Sequence, residues 1–252
     1  MNHSEYIRIV PGAECAVLMV HGIVSTPRHF DFLLPTIPEN WTVANLLLDG
    51  HGGTVRDFSK TSMKKWKAQV GEWMEKLCAT HSRVLIVGYS LGTLLTMCAA
   101  QNRPQVKAML LLNPPLKPRL HPKMIPISLR FAFGKVKKDV PAEAALWEDI
   151  GVTLEPWLHK YLGWIPRFVE LLILCRQCCP IAEKIPVPCH AFLGRKDELV
   201  SLKSQKHLQC NPNITLHFMD CAGHSYYPPE DQAQMKLALQ ELLQLTEQVG
   251  RE

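Results

Sequence analysis

Short apolar runs alternate along this chain with stretches whose apolar residues recur every three or four positions. Cys15–Val20, Trp41–Leu47, Arg83–Tyr89, Val106–Leu112, Pro188–Leu193 and Ile214–Met219 have strand length. The run after Arg83 is mostly Val, Leu and Ile, which predicts a strand buried on both faces. Between the runs a helix is expected around Pro27–Leu34. Another is expected where Met63, Trp66, Val70, Trp73 and Leu77 recur at helical spacing. A third covers Leu91–Gln101 and ends before Pro104, and Met235, Leu239, Leu242 and Leu243 mark an amphipathic C-terminal helix. Tyr6–Val10 reads as a short edge strand. Strands alternating with helices predict a mostly parallel sheet with helices on both faces.

The alternation stops between Asn113 and about Pro186. That stretch opens with prolines at 114, 115, 118, 122 and 126 and carries Lys117, Arg119, Lys123, Lys135, Lys137 and Lys138. Helical runs follow near Ala142–Ile150 and Arg167–Cys179. About seventy residues without a strand exceed a plain loop. They predict a helical insertion, 114–186, covering one end of a core built from 1–113 and 187–252. In its last run Phe168, Leu171, Leu172, Cys175, Cys178 and Cys179 form an apolar helical stripe, opened by Pro166 and stopped by Pro180.

Composition narrows the class. Of 252 residues, 47% are apolar and 20% charged, which excludes a disordered tail, a collagen-like chain and a coiled coil. No apolar run reaches the ~18 residues of a membrane span. Met1–Val10 has no apolar signal-peptide core, and nine cysteines are an odd number, so reduced thiols in the cytoplasm are expected. The cysteines of the stripe read as small buried hydrophobes, since no second ligand pair at zinc-like spacing accompanies them. The net charge of +5 is mild and gathers in no long block, so nucleic acid is not an expected partner. The basic stretch Lys117–Lys138 reads as a solvated face, with an anionic membrane surface or an acidic substrate as alternatives. No metal-ligand spacing and no dinucleotide loop points to a cofactor.

One pattern carries chemistry. Gly88-Tyr89-Ser90-Leu91-Gly92 follows a buried strand and opens a helix, which is the strand–turn–helix of a nucleophile elbow. A serine hydroxyl needs a base. His224 lies after the last strand, in Cys221-Ala222-Gly223-His224-Ser225, on the same side of the sheet as Ser90. His21 and His51 also follow strands, beside glycines, and read as loop-shaping residues. The base needs an acid to fix its tautomer. Asp197 follows the Pro188 strand and completes the chain order serine, acid, histidine. Glu198 is its nearest rival. Asp220 sits too close to its strand's end, and Asn113, at another acid position, is no carboxylate. Backbone amides must receive the oxyanion. Leu91, after the nucleophile, and Ile23, in the loop after the first buried strand, are the candidates.

His21-Gly22-Ile23, Asp49-Gly50-His51-Gly52, the Ser90 elbow, Gly194-Arg195-Lys196-Asp197 and Gly223-His224 occur in this order. Together they resemble the α/β-hydrolase fold, in its branch of bacterial carboxylesterases and monoacylglycerol lipases. The resemblance implies a central sheet with a cap where the strand-free stretch lies. It also implies a serine hydrolase cleaving small carboxylic esters with an apolar acyl or alcohol group. Ile23 stands where many members carry an aromatic residue. The same three side chains would serve a peptide, amide or carbon–carbon bond, and a non-catalytic binding protein is a third class. Leu129, Phe131, Phe133, Trp147, Trp157, Tyr161 and Trp164 are candidates for an acyl pocket or for packing within the cap.

Overall fold

The structure, a computed structural model, describes residues 3–119 and 124–248. Pro122 and Lys123 of the basic stretch lie outside the described residues. Its strands are β1 (Tyr6–Arg8), β2 (Cys15–Val20), β3 (Thr42–Leu46), β4 (Arg83–Tyr89), β5 (Val106–Leu112), β6 (Cys189–Gly194) and β7 (Ile214–Met219). Its helices are α1 (Val55–Lys60), α2 (Met63–Thr80), α3 (Leu91–Ala100), α4 (Met124–Ala132), α5 (Pro141–Asp149), α6 (Ile165–Ala182), α7 (Gln205–Leu208) and α8 (Pro229–Gln248).

The strands form one sheet in the order β1-β3-β2-β4-β5-β6-β7, with only β1 antiparallel to its neighbour. Alternate residues of each strand feed two cores. Ala16, Leu18 and Val20 of β2 pack with Trp66 of α2, Leu94 of α3 and Cys178 of α6. Cys15, Val17 and Met19 pack on the opposite face with Phe30, Trp41 and Leu239 of α8. Every residue of β2, β3 and β4 is buried, as the apolar runs of β2 and β4 predict, and β3 also buries the polar Thr42 and Asn45.

Three local expectations change. Pro27–Leu34 is not an α-helix but the 3-10 turns Pro27–Phe30 and Leu34–Thr36. Pro35, in the second turn, lacks the N–H an α-helix would need there. Helix α1 goes unpredicted, although Thr54 and Asp57 close a capping box at its start. Pro180 does not stop α6, which runs on to Ala182. So close to the helix end, its missing N–H removes a single intrahelical bond.

The strand-free stretch divides. Helix α6 packs against α3, with Cys178 Sγ 3.6 Å from the Leu94 carbonyl, and Cys175, Cys178 and Cys179 are buried in the core. It flanks the sheet rather than covering its end. The chain after α5 passes over the carboxyl edge. Gly151 donates to the Val24 carbonyl at 2.8 Å and accepts from Gly52 N–H at 2.6 Å, and Thr153 N–H donates to Gly53 at 2.8 Å.

Two buried histidines shape the loops at that edge. His21 Nε2 accepts from Leu48 N–H at 3.1 Å, so its Nδ1 carries the proton and donates to the Gly22 carbonyl. His51 Nε2 accepts from Val24 N–H at 3.1 Å, and its Nδ1 faces the Leu48 and Asp49 carbonyls. Both rings must be neutral, because each Nε2 faces a donor. Burial, and then the charge of His51, push His21 well below its ordinary value; burial takes His51 down to about 4.

The consequence has a definite sign. The unfolded chain protonates these rings near 6.5, while folded His51 stays neutral down to about 4. Stability should therefore fall as pH drops through that window. His51→Gln keeps an acceptor for Val24 N–H but cannot titrate. Its thermal midpoint, followed by circular dichroism from pH 7 to 4, should fall less steeply than that of the wild type.

Candidate active site

Strand β4 lies between β2 and β5, and its end delivers Ser90 to the centre of the sheet's carboxyl edge. Ser90 has φ 49° and ψ −119°, a conformation that L-residues avoid. Its N–H donates to the Leu112 carbonyl at 2.9 Å, and Thr93 Oγ1 donates to its carbonyl at 2.6 Å. Gly92 is obligatory here, because a Cβ on it would stand 1.8 Å from the Val20 carbonyl oxygen. Gly22 brings the loop after β2 against the elbow, since a Cβ there would lie 3.1 Å from Ser90 Cβ.

Ser90 Oγ is 3.0 Å from His224 Nε2, and His224 Nδ1 is 2.8 Å from Asp197 Oδ2. A carboxylate only accepts, so Nδ1 carries the proton and Nε2 is free to accept from the serine hydroxyl. Asp197 is 1% exposed, and its other oxygen accepts from Leu199 N–H at 2.7 Å and Val200 N–H at 2.8 Å. Burial works against a charged His224. The Asp197 charge and hydrogen bond, with smaller help from Glu198 and Asp149, outweigh it and hold the ring above its ordinary value.

The rival acids lie elsewhere. Glu198 Oε2 accepts from the backbone N–H of His224 at 3.1 Å, so it holds the loop rather than the ring. Asp220 pairs with Arg195 at 2.6 Å on the surface. Among the amides, Val24 N–H is taken by His51 and Ser25 N–H by the Gly22 carbonyl. The Ile23 and Leu91 amides have no acceptor among the described residues.

Several residues take a part at the site that the sequence does not announce. Asn113 has φ 48°, donates from Nδ2 to the His224 carbonyl at 3.0 Å and accepts from Gly194 N–H at 3.0 Å. Asparagine tolerates that backbone, and here it ties the end of β5 to the histidine and acid loops. Tyr89 donates to the His224 carbonyl at 3.2 Å and stacks on His29 at 3.5 Å between centroids. His29 Nδ1 lies 3.2 Å from Asp149 Oδ1, which also accepts from Ser25 Oγ at 2.7 Å, pinning the end of α5 to the loop after β2. Arg119, from the basic stretch, donates to the Asp197 carbonyl at 2.5 Å, while Lys135, Lys137 and Lys138 are exposed.

A cavity of about 150 Å³ opens beside His224. Met124 and Ile127 of α4, Leu146 of α5, Val140, Leu199 and Tyr226 supply much of its wall. The aromatic candidates from the sequence are not among its lining residues. Phe131 packs edge-on against Trp147, Tyr161 packs on Trp164 and Trp164 on Phe58, while Leu129, Phe133 and Trp157 are exposed.

Comparison with known proteins agrees with this architecture. A thermostable monoacylglycerol lipase of Bacillus sp. (strain H-257) is 30% identical over 122 residues, 44% of this chain and 48% of that enzyme. The match thus spans about half the length of that relative. A structure reported for the metagenome-derived lipolytic enzymes LipS and LipT superposes with a TM-score of 0.72 at 17% identity, covering 96% of this chain and 98% of the other. The monoacylglycerol lipase of Paleococcus ferrophilus gives 0.66 at 18% identity, over 97% of this chain and all of the other (100%). The N-acyl homoserine lactonase AidH gives 0.68 at 20% identity, over 100% and 97%. Identities this low show a common fold. The model of the alpha/beta hydrolase family matches residues 17–237, which is most of the sequence, and the chain belongs to that family.

Proposed function

We propose that this chain is a serine hydrolase of carboxylic esters that works through an acyl-enzyme on Ser90. The observation that carries the reading is the hydrogen-bonded series from Ser90 Oγ through His224 to Asp197, at 3.0 and 2.8 Å. In this reading His224 Nε2 takes the hydroxyl proton as Oγ attacks the carbonyl carbon. Asp197 keeps the proton on Nδ1 and stabilises the imidazolium. The amides of Ile23 and Leu91 receive the oxyanion. His224 then protonates the leaving alcohol, and water, activated by the same ring, releases the acid.

The apolar wall offered by α4 and α5 suits an ester with an apolar acyl or alcohol group, and we assign 124–164 as the cap over the site. The likeness in sequence to a monoacylglycerol lipase supports an ester. Nine free thiols fit a reducing compartment, which favours the cytoplasm.

Ser90→Ala should fold normally, lose ester turnover and lose labelling by a fluorophosphonate probe. Asp197→Asn should reduce kcat by roughly 10⁴ through the wrong tautomer. Labelling at another residue, or faster cleavage of matched amides than of esters, would replace this reading. Glu198 gives a separate check. The acid limb of the kcat/KM profile should lie above 6.5 in the wild type, because His224 must be neutral to act and its pKa is raised. Glu198→Gln keeps the bond to His224 N–H but removes a negative charge, so the limb should move to lower pH. A larger loss of kcat in Glu198→Gln than in Asp197→Asn would reverse the two assignments.

A further inference from the structure

Of the apolar stripe read from the sequence of α6, the structure buries the cysteines and leaves Phe168 and Leu172 exposed. Leu174, Cys175 and Cys178 are at most 1% exposed, in the core against α3. Ile165, Phe168, Val169, Leu172 and Ile173, spaced at 0, 3, 4, 7 and 8, face outward and are 42–57% exposed. The turn that leads into the helix adds Trp157, Leu158 and Leu162, at 55–65%. A helix apolar on nearly every side is normally covered on every side. Eight large apolar side chains side by side exceed the scatter of single exposed residues on soluble proteins.

We propose that this face is a docking surface for an anionic lipid bilayer. Charge selects that occupant. From Trp157 to Arg176 the chain carries Lys160, Arg167 and Arg176; Lys160 pairs with Glu155 and Arg167 with Glu170, which leaves Arg176. Helix α2 is joined to α6 by the Met63 N–H bond to Glu170 at 3.0 Å, and it brings Lys64 and Lys67 alongside. Lys64, Lys67 and Arg176 are exposed and have no ion-pair partner among the described residues. A second copy of this chain docked about a twofold axis through this face would bring two sets of these cations into one interface. Anionic headgroups attract all of them, and acyl chains accept a convex apolar helix without matching its shape.

The contact would lie in the interface plane, since among the described residues no helix is long and apolar enough to cross a membrane. Its place in the fold gives it a use. The turn Leu158–Trp164 packs on α1, and the Trp164 indole donates to the Val55 carbonyl at 3.1 Å. Helix α1 follows the Gly50–Gly53 loop on the carboxyl edge that carries Ser90. Docking through α6 would therefore hold that edge at the bilayer, where apolar substrates partition.

The test is co-sedimentation of the full chain with vesicles. Wild type should bind vesicles of phosphatidylglycerol and phosphatidylcholine, bind pure phosphatidylcholine weakly, and release as salt rises. Phe168→Ser with Leu172→Ser should weaken binding at least roughly tenfold, as expected for two large apolar groups removed from a lipid interface. Both side chains are half-exposed and Phe168 rests on Trp164, so the thermal midpoint should fall only slightly, and turnover of a short soluble ester should be unchanged. Lys64→Glu with Arg176→Glu should weaken binding to the anionic vesicles only. Ser90→Ala should bind as the wild type does, which separates this proposal from the ester reading. Three results would overturn it: no binding of wild type to anionic vesicles, undiminished binding by Phe168→Ser with Leu172→Ser, or a wild-type dimer by light scattering that this double substitution turns into a monomer.

Discussion

The backbone of Ser90 is held where serine does not rest on its own. A φ of 49° with ψ of −119° costs on the order of 1–3 kcal/mol, and the surroundings must over-determine it. Strand β4 is fully buried between two parallel neighbours, so its end cannot shift. The Ser90 N–H is spent on the Leu112 carbonyl of β5. Helix α3 lies so close to β2 that only glycine fits at 92. The strain lifts the hydroxyl above the sheet edge and aims it at His224.

The partners are fixed by the same economy of backbone groups. Asp197 spends one oxygen on two amides of its own loop and the other on the imidazole, so its rotamer and the histidine tautomer are set together. Asn113 and Tyr89 both donate to the His224 carbonyl, and Glu198 takes its N–H. Neutral His21 and His51 hold the loop after β2, where the Ile23 amide has no acceptor among the described residues. In the proposed mechanism His224 acts as base and the amides of Ile23 and Leu91 receive the oxyanion, so little need move as charge develops.

Sequence periodicity revealed what local physics controls. Buried parallel strands such as β2 and β4 are nearly continuous apolar runs, and the other parallel strands are short, mostly apolar stretches, so periodicity shows them, and strand–turn–helix spacing points to Ser90. His224 and Asp197 were legible by their positions after strands. What stayed hidden depends on contacts far apart in sequence. The Ser25–Asp149 bond spans 124 residues and the His29–Tyr227 bond 198, and neither leaves a spacing to read. In sequence Asn113 stands out only for lacking a carboxylate, while its part as a tie between three loops needs the folded chain. The stripe of α6 shows the opposite limit. Periodicity reports which residues share a helix face, but only the structure tells which part of that face is covered.

The account's central claim is that Asp197 holds His224 as the Nδ1-protonated tautomer with Nε2 turned to Ser90. Nitrogen-15 NMR of the histidine-labelled protein, above the His224 pKa, reads this directly. The account predicts a single neutral His224 ring with its proton on Nδ1, strongly deshielded by the carboxylate, and an unprotonated Nε2. A His224 ring carrying its proton on Nε2, or exchanging freely between tautomers, would contradict it.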